Sequence, residues 1–316
     1  MDTNAAEASE NAQEQPVQGL QETQQFQITK IWARNFRSVA DISVELDRLT
    51  VLVGPNAAGK STVLDILRFI KDALRFDLEV AISHRHGLEA IRRQTEEGQT
   101  SDIELGLNAQ ERHYALEYSF VLASNAEGGF RVRWECVRVQ LEGLGESVEF
   151  RIEDGNPIFP EQLFPANLGT RVEPNGDPSG FDTSELWLLK MTPRALLMPR
   201  PLGGAGRGGG EGRSETDVIG QQVRQSLDCF RRHMHQSRFY HFFPNTIREP
   251  RRIGDPYPLA EDASNLASVL RYMEKQDTRE IRYLRDSLSL LVPGVSDLHV
   301  TPVGGYLVVS LEHDSG

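Results

Sequence analysis

The sequence predicts an α/β fold: a lobe with a mixed sheet, an antiparallel β-meander inserted into it, and a helical segment. Three observations lead there. The stretch Leu49 to Ile70, LTVLVGPNAAGKSTVLDILRFI, reads as an apolar strand, a glycine-bounded loop and a helix. Residues 102–154 alternate between apolar and polar in four runs separated by Asn, Gly and Glu turns. From residue 217 onward, apolar residues recur at helical spacing. An all-apolar strand feeding a loop and helix belongs at the centre of a mainly parallel sheet covered on both faces, whereas alternating runs with short turns belong to antiparallel pairs.

Residues 1–26 are rich in Gln, Glu, Ala and Asn and carry almost no large apolar groups, so they are expected to be a disordered tail. The ordered chain begins with FQITKIWARNFRSV, where Ile28, Lys30 and Trp32 alternate as in a half-buried strand. DISVELDRLTVLV supplies a second strand and, after a turn at Asp47, a third that is apolar through Thr50 to Val53. The helix after the loop aligns Val63, Leu67, Ile70 and Leu74 on one stripe to pack on the sheet.

Between that third strand and the helix, Gly54, Gly59, Lys60 and Ser61 fit G-x-x-x-x-G-K-[ST] in the strand-to-helix setting that a phosphate-binding loop needs. Glycines at both ends let the backbone of Gly54, Pro55, Asn56, Ala57, Ala58 and Gly59 curl round an anion with its N–H groups inward. The helix start adds partial positive charge. Lys60 is expected to reach the β- and γ-phosphates of ATP, Ser61 to ligate Mg²⁺ through its hydroxyl, and Thr62 to donate to the α-phosphate.

The opening ARNFRSV, followed about twenty residues later by GPNAAGKST, resembles the N-terminal lobe of ABC-type ATPases of the RecF, SMC and OLD-like group, often catalogued as AAA family ATPases. The resemblance implies a P-loop NTPase lobe over residues 27–101, with Arg37 and Ser38 near the nucleotide; the alternative for Arg37 is a surface residue at a strand end. It also implies a glutamine that touches Mg²⁺ after the loop helix. Gln94 is a candidate, and a solvated helical glutamine is the competing reading. Residues 77–100 read as a short helix and a polar loop.

DIELGLNA, HYALEYSFVLA, FRVRWECVRVQLEG and SVEFRIEDG make a four-stranded meander over 102–155, an insertion the resemblance also implies. Residues 156–216 are a Pro/Gly-rich loop region ending in PRPLGGAGRGGGEGRS, with no strand before GAGRGGG to support a dinucleotide fingerprint. Residues 217–316 form the helical segment and closing hairpin. Its first helix carries Val223, Leu227, Phe230 and Met234 on one stripe. A second helix is expected to be capped by Asp262 or Ser264 and to bury Leu266, Val269, Leu270 and Met273. TREIRYLRDSLSLLV forms a third, stopped by Pro293-Gly294, and a hairpin turns at Gly304-Gly305.

Apolar residues make up 39% of the 316-residue chain and charged residues 25%, as in globular proteins. No apolar window spans a bilayer and no leader pattern opens the chain, so a cytoplasmic protein without a membrane partner is expected. Net charge is −12, and the chain after its acidic first 26 residues keeps 34 basic against 41 acidic groups, a poor match to a protein that coats nucleic acid. A local basic groove stays open: from Arg224 to Arg252 there are seven Arg, two acids and five aromatics. The competing reading is a basic helix face with those aromatics as core. Cys136 and Cys229 read as reduced packing residues, and the pairs His84/His86 and His233/His235 as surface or packing residues.

The family's Ser-Gly signature, Asp-Glu strand and later His are not found; LVVSLEHD differs from the acidic strand because Ser310 interrupts it. The expectation is therefore a chain truncated before these motifs, which binds ATP and Mg²⁺ but hydrolyses poorly alone. In the complete parent the resemblance implies ATP hydrolysis in an ATP-dependent homodimer, acting on DNA or an effector protein in DNA repair or phage defence. The alternative is a non-catalytic, nucleotide-dependent interaction module.

Overall fold

Seven strands, each antiparallel to its neighbours, build the larger sheet of the computed structural model, in the order Val39–Glu45, Gln27–Phe36, Ile103–Glu111, Tyr114–Ser124, Phe130–Leu141, Ser147–Glu153, Asn156–Ile158. The structure describes residues 26–94, 101–126, 128–145, 147–158, 181–188, 215–254, 256–276 and 278–314. The N-terminal tail before Phe26, the glycine-rich run 199–214 and most of the rest of the 156–216 loop lie outside them. The chain divides into two compact units, Met1–Gln236 and Ser237–Gly316.

In the first unit β1 (Gln27–Phe36) and β2 (Val39–Glu45) form a hairpin, and β1 also pairs with β3 (Ile103–Glu111). The meander continues through β4 (Tyr114–Ser124), β5 (Phe130–Leu141), β6 (Ser147–Glu153) and a short β7 (Asn156–Ile158). The four alternating runs are thus β3 to β6, and they continue the sheet from β1. A register shift between Ile28 and Lys30 inverts the alternation of β1, so Ile31 and Ala33 are buried on the side where Ile28 packs against the core, while Lys30 and Trp32 are not buried; Phe36, beyond the left-handed Asn35, is buried as well. Trp32 lies over its cross-strand partner Gly106, where any Cβ would overlap the indole.

Helix α1 (Lys60–Arg75) buries Val63, Ile66, Phe69, Ile70 and Leu74, with Leu67 partly buried against the same core. Short helices α2 (Leu78–Ser83) and α3 (Leu88–Ile91) follow. Helix α4 (Glu215–Gln236) buries Val223, Leu227, Phe230 and Met234 and belongs to this first unit, not to the C-terminal segment with which the sequence groups it. Aromatic contacts run through the core from Phe36 to Phe69 (5.8 Å between ring centroids), Phe69 to Phe120 (6.4 Å) and Tyr118 to Phe230 (6.2 Å), tying β1, α1, β4 and α4 together.

Residues 181–188 pack on the sheet. Phe181, Leu186 and Leu188 are buried, and the carboxylate of Glu135, itself 1% exposed, accepts from the N–H groups of Trp187 (2.6 Å) and Leu188 (3.0 Å) and from the Tyr118 hydroxyl (2.7 Å). Burial beside that carboxylate pushes the Tyr118 phenol well above its ordinary value.

The expected parallel strand at residues 50–53 is not formed. Both edges of β1 are already taken by β2 and β3, and no described strand runs beside 50–53. Leu49, Val51 and Val53 are therefore 83%, 73% and 89% exposed, while Leu52 alone packs partly against the core. The described sheets are antiparallel rather than mixed.

The second unit holds α5 (Pro244–Arg248), α6 (Leu266–Lys275), α7 (Arg279–Leu291) and a three-stranded sheet β8-β10-β9. Strands β9 (Val295–Val303) and β10 (Tyr306–His313) turn at Gly304 and Gly305, both at positive φ, and β8 (Arg251–Arg252) pairs with β10. Leu270, Ile281, Leu298, Val300 and Leu307 form its core. The N-cap of α6 is Asn265, whose side chain turns to Ala260 and Pro258; Asp262 instead accepts from the N–H of Ser264 before the helix starts. That hydrogen bond lowers the Asp262 pKa.

Candidate phosphate-binding site

The backbone between residues 54 and 59 forms successive turns, with the Ala58 N–H donating to the Pro55 carbonyl (3.3 Å). Two residues carry the curvature. Ala57 sits at φ 64° and Gly59, the N-cap of α1, at φ 87°, where an L side chain is strained. Gly54 is not held by that constraint, since a Cβ there would meet Ala58 at an ordinary 3.5 Å. The conformational demand thus falls on the second glycine of the motif.

Helix α1 begins without a side-chain cap and has no acidic residue in its first turn. Its opening N–H groups, at Lys60, Ser61 and Thr62, thus lack the usual carboxylate or hydroxyl acceptor, and the helix is long enough to direct a positive end at them. The Lys60 ammonium donates to the carbonyls of Gly54 (2.8 Å) and Pro55 (2.7 Å), which hold the cation at the loop. Residues Gly54 to Ala58 and Ser61 are exposed. An uncapped helix start, an αL glycine, a tethered ammonium and an exposed hydroxyl fit a phosphate-bearing ligand with a divalent ion; an acidic first turn would not.

The turn between β1 and β2 lies beside this loop, because the Val39 side chain is 3.8 Å from where a Gly59 Cβ would stand. Arg37 in that turn is at φ 51°, its N–H donates to the Ile91 carbonyl (2.7 Å), and its guanidinium pairs with Asp65 of α1 at 2.6 Å. Ser38 is exposed next to it. Asn35 near the end of β1, Arg37 in the turn and Ala57 in the loop are three non-glycine residues in left-handed conformation, a concentration of backbone strain of the kind found at ligand sites.

One network here has no signal in the sequence. Arg85, 7% exposed, pairs with Asp65 (3.1 Å) and Asp72 (3.1 Å), donates to the Ala81 carbonyl (2.9 Å) and lies over the Phe69 ring. Asp65 therefore receives both Arg37 and Arg85, fixing the β1–β2 turn and the α2 end to the same face of α1. The ion-paired partners are separated by 13 residues or more of chain, so no local period announces them.

Gln94 is exposed and lies outside any helix. It follows Arg92, which bridges to Phe36, and Arg93, whose N–H donates to the Asn35 carbonyl (2.9 Å). The segment preceding Gln94 is thereby pinned to the same end of β1 as Arg37.

The Arg224–Arg252 stretch divides between the two units. Phe230 is core, but Tyr240, Phe242 and Phe243 are 46%, 51% and 48% exposed, which corrects the expectation that these aromatics are core. Cys136 and Cys229 are free, and His233 stacks on Phe26 at 4.2 Å. Among the described residues, no helix is long and apolar enough to cross a membrane.

No curated protein sequence matches the chain. Residues 27–127, from β1 through β4 and including the loop 54–59, match the family model of the AAA ATPase domain, so this part of the chain is similar to AAA ATPase domains.

Proposed function

We propose that the loop Gly54–Thr62 binds ATP with Mg²⁺, and that the chain is the nucleotide-binding part of an ATPase. The observation that carries this reading is the uncapped start of α1 with the Lys60 ammonium tethered to the two carbonyls that open the loop. The N–H groups of residues 59–62 and the Lys60 charge bind the phosphates; the Ser61 hydroxyl is the Mg²⁺ ligand; Thr62 donates to the α-phosphate. Mg²⁺ supplies neutralisation of charge across the β- and γ-phosphates. Arg37 and Ser38 flank the nucleotide from the neighbouring turn, with Asp65 holding the Arg37 guanidinium. Gln94 lies at the same end of β1 and is the proposed contact to the metal's water shell.

Hydrolysis to ADP and phosphate needs an aligned water and a second charge clamp at the γ-phosphate. In this reading they come through an ATP-dependent homodimer, and dimerisation drives a conformational switch on DNA or an effector protein. The resemblance of ARNFRSV and GPNAAGKST to the RecF, SMC and OLD-like ATPases supports DNA repair or phage defence as its setting. A second reading, a nucleotide-dependent interaction module without turnover, draws on residues 50–53, which have no flanking strand among the described residues to carry catalytic carboxylates.

Calorimetric titration of Mg·ATP into the wild-type chain and Lys60→Ala tests the site. Loss of the charge-assisted contacts is expected to weaken binding by about 10- to 100-fold. Equal binding by both would overturn the assignment. Steady-state phosphate release then separates the two readings.

A further inference from the structure

The hairpin of the second unit carries a constellation that the nucleotide reading does not use. Asp297 and His299 lie on one face of β9, and Glu312 of β10 is the cross-strand partner of Asp297. One ligand atom from each, a carboxylate oxygen or a ring nitrogen, falls within 4.8 Å of the others. We propose that Asp297, His299 and Glu312 form a binding site for a divalent transition-metal ion of the zinc type.

The spacing suits such an ion. His299 Nε2 is 3.3 Å from Glu312 Oε2 and 3.5 Å from Asp297 Oδ2. Metal–ligand bonds of about 2.0–2.1 Å in tetrahedral geometry put neighbouring ligand atoms roughly 3.4 Å apart. The two separations from the imidazole match that geometry, and the third, between the two carboxylates, lies within 4.8 Å.

The atoms turned away from this point have partners that orient the ligands. His299 Nδ1 faces Glu274 Oε1 of α6 at 3.6 Å, the side of the ring on which a supporting carboxylate stands when Nε2, here 3.3 Å from Glu312, is the metal ligand. Asp297 Oδ1 pairs with the Arg285 guanidinium of α7 at 2.8 Å and accepts from the Leu298 N–H at 2.6 Å, so Oδ2 is the oxygen left for coordination. Arg285 also pairs with Glu274 at 2.8 Å, closing the ring of support. Around the ring, three carboxylates and one guanidinium leave two negative charges, which a divalent cation balances.

An imidazole among the ligands favours Zn²⁺ and its neighbours over Mg²⁺ or Ca²⁺, which prefer oxygen alone. Three protein ligands leave a coordination position for water. The site lies wholly within one unit and does not depend on nucleotide.

The test uses the full chain, stripped with chelator and titrated with Zn²⁺ against a fluorescent competitor, with Co²⁺ absorption as the spectroscopic signature. One equivalent is expected to bind, unaffected by millimolar Mg²⁺. His299→Ala and Glu312→Gln are expected to weaken this binding by 30-fold or more, and Glu274→Gln by about 10-fold through loss of imidazole orientation. Circular dichroism confirms that the variants fold, and Lys60→Ala is expected to bind Zn²⁺ as wild type does. Zn²⁺ binding that survives both His299→Ala and Glu312→Gln, or no binding by the folded wild-type chain at 100 μM Zn²⁺ (~0.1 mM, far above a specific site's dissociation constant), would overturn the proposal.

Discussion

Replacing Gly59 by alanine isolates the backbone demand of the phosphate loop. At φ 87° and ψ 3° an L residue is disfavoured by about 1–2 kcal/mol. The added Cβ itself meets nothing closer than Val39 at 3.8 Å, so no steric clash adds to that figure. The penalty can appear in two places. A loop that keeps its shape lowers global stability by the full amount and leaves ATP affinity unchanged. A loop that relaxes spares stability, and ATP must then restore the shape, weakening binding by about 5- to 30-fold. The two losses should sum to about 1–2 kcal/mol, measured as urea unfolding free energy and as calorimetric ATP affinity on the same preparation. Losses that together fall below ~0.3 kcal/mol would refute the claim that a left-handed residue is required there.

Two further predictions concern the first unit. Glu135→Ala strands the buried Tyr118 hydroxyl and the N–H groups of Trp187 and Leu188, and at about 1–2 kcal/mol per group should cost roughly 3–6 kcal/mol in urea unfolding. Glu135→Gln retains a carbonyl acceptor and should lose markedly less; equal losses would argue against these hydrogen bonds as the cause. His235 has its pKa lowered from 6.5, first by burial and then by Arg231, Arg75 and Lys71. Its folded state therefore resists protonation, and the unfolded chain takes up the proton first on acidification. The stabilising contribution is present above about pH 6.5 and is lost as pH falls from there through the lower folded value. His235→Gln should flatten the change in urea midpoint between pH 7.5 and 5, and an unchanged slope would show that His235 is not its source.

The meander and the stripe of α4 were legible because each depends on a local period that the chain repeats several times. Val223, Leu227, Phe230 and Met234 needed only helical spacing to be placed. The β1 face was misread because a single register shift at Ile28/Lys30 inverts an alternation, and no residue type announces the shift. The apolar character of residues 50–53 signalled burial between strands, yet burial depends on neighbours, and the described residues provide none beside it. At the candidate site, Gly59 and Lys60 were legible as a motif, whereas the junction of Arg37 and Arg85 at Asp65 is a long-range electrostatic fit with no linear trace. The aromatics at 240–243 looked like core by type, but short extended segments do not bury alternate neighbours simply because they are large.

The order of strands has a consequence for how the chain reaches its fold. β3 to β7 close one after another across short turns, and β1 with β2 form a second local hairpin. Joining these two pieces through the β1–β3 ladder requires the whole stretch from residue 37 to 102, phosphate loop included, to close as a single large ring. Relative to a hairpin turn, that closure costs about 2 kcal/mol more in chain entropy, and contacts of such sequence separation form slowly. The Gly54–Gly59 loop thus lies inside the connection that the β1–β3 ladder closes, so a ligand that orders this loop also shortens the flexible ring which that ladder has to close.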